Sequence, residues 1–157
     1  MRQMLAVAAA GLLVALCGMA APQQKPGAEK KQQDARFPEG YSIPPEAAKR
    51  ANPLKATEPV LAAAKKYYSS QCAMCHGKDG DGKGDLAGDM QLKIPDYRKT
   101  ESLAKFTDGE LFYILTNGMG KMPAEGDRTP DDGKWGVILY LRSLAKAEPE
   151  QKPAPKP

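Results

Sequence analysis

The pentapeptide Cys72-Ala73-Met74-Cys75-His76 constrains this chain more than any other stretch in it. Two cysteines separated by two residues and followed at once by a histidine can bond both vinyl groups of a haem while the imidazole reaches the iron. A single turn puts both sulfurs on one side of the porphyrin and the ring nitrogen beneath its centre. Competing uses of these residues fail on where the other ligands and elements lie. Structural zinc needs four Cys or His ligands, yet the remaining cysteine is Cys17, in an N-terminal apolar run, and His76 is the only histidine. A dithiol redox motif wants its cysteines at the start of a helix in a strand-rich context, and no strand pattern precedes Cys72.

The chain opens with Met1-Arg2 and an unbroken small and apolar run over residues 5–21, with Gly18 and Ala20 at positions a signal peptidase reads. This is a secretory signal pattern, with cleavage expected after Ala20 or Ala21. Two other fates stay open. The run is just short of the roughly 20 apolar residues that cross a bilayer, so retention as a membrane anchor is one. Lipidation of Cys17 is the other, disfavoured because Leu16 stands where a small residue is usual. All three export the remainder of the chain, to the periplasm or an equivalent compartment.

Residues 22–56 form a leader rich in Pro, Lys, Gln and Ala, whose few large apolar side chains include Phe37 and Tyr41. Alone it cannot bury enough surface to offset its ordering entropy, and it is expected to lie along the following domain through those two rings. Residues 57–147 are read as that domain and residues 148–157 as a flexible Pro-Lys tail. The formal charge of +4 is carried by the extensions. Residues 57–145 hold twelve basic and thirteen acidic groups, so the domain is near neutral and no nucleic-acid partner is expected.

Helical periodicity predicts three long segments. The first runs from Glu58 or Pro59 to about Gln71, capped by Thr57, with Leu61, Ala64 and Tyr68 on one face. It delivers Cys72. A capping box, Thr107-Asp108-Gly109-Glu110, opens the second, which should stop at Asn117-Gly118. The third spans about Asp131 to Ala147, with Trp135, Ile138, Leu139, Leu141 and Leu144 as its buried candidates. Between the first two lies a Gly-Asp-Lys loop that mimics a calcium loop but offers Lys83 and Met90 where oxygen ligands are needed. Three helices and long loops make a thin core, which a covalently held porphyrin would complete.

In these features taken in order, residues 57–145 resemble a class I monohaem cytochrome c. The resemblance rests on an aromatic-bearing helix ending in Cys72-Ala73-Met74-Cys75-His76-Gly77, on Ile94-Pro95-Asp96, on Gly118 to Met122-Pro123, and on a last helix carrying Trp135 and Tyr140. It implies an all-α cytochrome c fold of three or more helices and long loops around one covalently attached haem c, with the first and last helices crossing. It further implies Cys72 and Cys75 as thioether attachments, His76 as proximal ligand, Met122 as distal ligand, and Pro95 as the carbonyl that orients the imidazole. Met119 is the alternative distal ligand, while Met74 and Met90 are expected to pack against other groups.

The function so implied is outer-sphere transfer of single electrons between redox protein partners, by a monomer without enzyme activity. A thioether opposite histidine favours ferrous iron and raises the potential. Two other readings remain: a haem-bearing subunit of a larger respiratory or dehydrogenase complex, and a sensor or peroxidase with a labile distal ligand.

Overall fold

The computed structural model describes residues 33–146, and every regular element among them is helical: α1 (Pro45–Ala48), α2 (Glu58–Gln71), α3 (Ala73–His76), α4 (Asp85–Asp89), α5 (Thr100–Ala104), α6 (Asp108–Asn117) and α7 (Asp131–Lys146), with one 3-10 turn at Gly126–Arg128. The signal run, Cys17, the start of the leader and the tail lie outside the described residues. No helix among the described residues is long and apolar enough to cross a membrane.

The three long helices are α2, α6 and α7. At α2, Pro59 occupies the first turn, and Thr57 stands at the N-cap without a side-chain cap bond. The capping box of α6 is complete: Thr107 Oγ1 accepts from the Glu110 N–H, and the Glu110 carboxylate accepts from the Thr107 N–H. Gly118, at φ +75°, ends the helix in a backbone conformation that glycine adopts without strain.

Among the described residues, helices α2 and α7 share the most extensive packing. At Gly136 an added Cβ would sit 3.6 Å from Ala64 Cβ and 3.8 Å from Val60 Cγ1, in ordinary van der Waals contact with α2. Tyr68, Val137 and Ile138 are the most deeply buried large side chains around this crossing. Leu139 is only half-buried, and Val137, absent from the expected set, takes the core position instead. Trp135 stacks on Phe112 of α6, with ring centroids 4.1 Å apart. Arg142 ties α7 to the α5–α6 link, donating to the Leu103 and Phe106 carbonyls at 2.7 and 2.6 Å and pairing with Asp108 at 3.0 Å.

Residues 33–56 pack on the helices and carry one of their own, α1, which the composition did not announce. Phe37 is buried, its ring 5.9 Å from Phe106 and 5.7 Å from Tyr41. Arg36 pairs with Glu110 at 2.7 Å and with Asp34 at 2.7 Å. Helix α1 presses on the start of α6 so closely that a Cβ at Gly109 would lie 2.2 Å from the Ala47 carbonyl oxygen. A stretch unable to fold alone acquires order by burying its few rings against a preformed surface.

Candidate functional site

Helix α2 ends at Cys72, which is at once its C-cap and the N-cap of α3. The Cys75 and His76 amides donate to the Cys72 carbonyl at 3.1 and 2.9 Å, so Cys72, Cys75 and His76 share one turn. Both thiols are free and half-buried. Burial, reinforced by the carboxylate of Glu125 and by Cys75, pushes the Cys72 thiol up to about 12, so it stays protonated at neutral pH. The His76 ring stacks on Tyr97, with centroids 5.3 Å apart and planes 21° apart. Burial holds its pKa below the usual histidine value, so the neutral imidazole, the form that ligates metals, is favoured. Its Nδ1 is buried and has no hydrogen-bond partner.

The glycine-rich loop wraps the backbone of this turn. Gly82 N–H donates to the His76 carbonyl at 2.9 Å, Gly84 N–H to the Cys75 carbonyl at 3.2 Å, and the Tyr68 hydroxyl to the Gly77 carbonyl at 2.8 Å. A Cβ at Gly84 would lie 2.3 Å from the Met74 carbonyl oxygen, and one at Gly82 would lie 2.3 Å from that of Ile94. These glycines serve close backbone approach, a role the sequence analysis did not assign them. Their regular recurrence over residues 80–84 was the available signal.

Opposite the turn, residues 118–125 form a second closed loop. Met119 and Met122 exchange both backbone hydrogen bonds, 3.1 and 3.0 Å, as an isolated antiparallel bridge. Residues paired in this way send their side chains to the same face. The Glu125 N–H returns to the Leu115 carbonyl at 2.8 Å and closes the loop on α6.

A cavity of about 460 Å³ lies between the two loops, lined by Cys72, Cys75 and His76 and by Met119, Met122 and Pro123. That size lies within the roughly 300–1,000 Å³ of small-molecule and cofactor clefts. Two thiols, a half-buried imidazole and two thioethers around one such cavity fit a haem. Met74 and Met90, expected to pack against other groups, instead line the cavity with 57% and 41% of their surface exposed. Pro95 lines it too, but its carbonyl makes no hydrogen bond to His76. The Ile94-Pro95 carbonyls lie instead against Gly82, where an added Cβ would be 3.2 Å from that of Pro95.

Sequence reasoning did not single out Tyr97 or Glu125. The Glu125 carboxylate, also lining the cavity, accepts from the Tyr67 hydroxyl at 2.6 Å and the Thr129 hydroxyl at 3.1 Å and pairs with Arg128 at 3.3 Å.

Residues 59–141 match the family described as cytochrome C oxidase, cbb3-type, subunit III. The chain is 36% identical over 87 residues to cytochrome c6 of Leptolyngbya boryana, covering 55% of this chain and 93% of the relative. It is 30% identical over 91 residues to cytochrome c6 of Cladophora glomerata, covering 55% and 90%. A chain of the reducing HAO-like protein complex of Kuenenia stuttgartiensis superposes with a TM-score of 0.47 at 27% identity, over 59% of this chain and 46% of that one.

Proposed function

The chain belongs to the c-type cytochromes, in the family of cbb3-type oxidase subunit III, and on that premise we propose that it is an exported carrier of single electrons with one His/Met-ligated haem. The observation that carries this reading is the cavity with thiols and imidazole on one wall and paired methionines on the other. Bound there, the haem supplies a one-electron ferrous/ferric couple. Cys72 and Cys75, whose thiols are free and line the cavity, would hold it through thioether links to its two vinyl groups. His76 supplies the proximal nitrogen, and Pro95, in the same wall, is the proposed acceptor for its Nδ1.

Met122 supplies the distal sulfur. It packs against the core cluster, whereas Met119 does not, and Pro123 restricts the backbone beside it. With His76 and Met122 both holding the iron, the group would supply one-electron chemistry, and no residue is assigned a catalytic role. The partners are redox proteins that reach the exposed cavity mouth, and the apolar run at residues 5–21 directs export.

The test is the absorption spectrum of the haem-loaded protein, oxidised and reduced, with and without carbon monoxide. A low-spin reduced form indifferent to carbon monoxide is expected. Met122→Leu should abolish the His/Met spectrum while Met119→Leu preserves it. The reverse pattern transfers the ligand role to Met119, and ready carbon monoxide binding by the unaltered protein ends the electron-carrier reading.

A further inference from the structure

The 118–125 loop carries both candidate thioethers, yet one of its anchors comes from far outside it. The Tyr41 hydroxyl donates to the Gly118 carbonyl at 2.8 Å across 77 residues of sequence. Gly118 is the residue on which the loop folds back: a Cβ there would lie 2.6 Å from the Met122 carbonyl oxygen and 2.9 Å from the Ala124 nitrogen. A group that holds the Gly118 carbonyl therefore holds the hinge of the Met119–Met122 bridge.

Tyr41 is itself rigidly mounted. Its amide donates to the Pro38 carbonyl at 3.0 Å, and the Gln33 side chain spans the same turn, donating to Pro38 and accepting from the Gly40 N–H at 3.0 and 3.2 Å. Its ring lies between Phe37, at 5.7 Å, and Tyr113 of α6, edge-on at 6.4 Å. The Arg36–Glu110 pair fastens the turn to α6. Burial, with Tyr113 nearby, raises the phenol above its usual pKa, so the donor proton stays in place through mildly alkaline conditions.

We propose that Tyr41 is a positioning residue for the methionine loop, and that the segment preceding the haem-binding helix thereby governs how firmly the distal side of the haem is closed. This rests on the reading of the 118–123 loop as the source of the distal ligand. The consequence is that separating residues 33–41 from the helices would loosen distal ligation without touching the Cys72–His76 turn.

The experiment compares the haem-loaded wild type with Tyr41→Phe, which keeps the packed ring and deletes only the hydroxyl. Amide hydrogen exchange is followed at Met119 and Met122, with the α7 amides as reference. Exchange at the two bridge amides is expected to quicken about five- to tenfold, the size of one neutral hydrogen bond, with α7 unchanged. Carbon monoxide uptake by the reduced protein should rise by a similar factor. Unaltered bridge exchange overturns the proposal, and so does an equal acceleration in α7, which would mean that Tyr41 supports only global stability. A wild type that takes carbon monoxide freely defeats the His/Met reading instead, and the bridge amides still decide the role of Tyr41.

Discussion

The two walls of the cavity are held by different means. The wall of thiols and imidazole is built from contiguous chain: the hydrogen bonds that clamp it, from Tyr68, Gly82 and Gly84, span nine residues or fewer. The methionine wall also depends on anchors far away in sequence, Tyr41 to Gly118 across 77 residues and Arg36 to Glu110 across 74. Short loops close at little entropic cost, whereas distant contacts form only once the helices have already come together. The turn of the first wall is thus clamped locally, whereas the second wall adds a distant anchor to its own local closure.

The most damaging way to probe this contrast is Gly84→Ala. Its Cβ would meet the Met74 and Ala73 carbonyl oxygens at 2.3 and 2.6 Å, and backbone cannot swing aside as a flexible side chain can. We expect a loss of about 3 kcal/mol or more in denaturant unfolding, the range reserved for severe overpacking and strain, together with loss of haem content. A variant that loads haem normally would show that the local wall yields easily.

Gly118→Ala tests the other wall. The substitution meets both the positive φ and the Met122 carbonyl oxygen at 2.6 Å, at an expected cost of about 2 kcal/mol. Haem should be retained while carbon monoxide gains access to the reduced protein. If Gly118→Ala instead loses haem as Gly84→Ala does, the two walls fold as one unit and the contrast fails.

The smallest expected effect is a pH dependence of the distant anchors. Burial would raise Glu110, but the Arg36 guanidinium and the Thr107 amide outweigh it and hold the carboxyl below its ordinary value. Arg36 lowers Asp34 likewise, through its side chain and backbone amide. A depressed carboxylate stabilises the fold fully above its unfolded value and loses that contribution as pH falls through the lower folded one. Unfolding midpoints should therefore drop on the acid side, and Glu110→Gln, which keeps a capping-box residue, should flatten that drop. An identical acid limb in the variant would remove this pair from the account.

How much of this was legible beforehand follows the same division. The helix from Glu58 to Gln71, the Thr107–Glu110 box and the stop at Gly118 depend on hydrogen bonds and side-chain spacing within a few residues, so the amino-acid pattern specifies them. The glycines at 82 and 84 are visible in the sequence but their role is not, because a pattern of glycines names close approach without naming what approaches.

The sequence by itself determined the cytochrome class of this protein, through five contiguous residues whose chemistry needs no context. It also set the helices that deliver them. Only the tertiary structure decided that Met122 rather than Met119 packs against the core, that Val137 rather than Leu139 fills it, and that Tyr41 reaches Gly118. Each of these depends on the direction in which a side chain points once distant segments meet, and local periodicity does not encode that direction when the partner lies some 80 residues away.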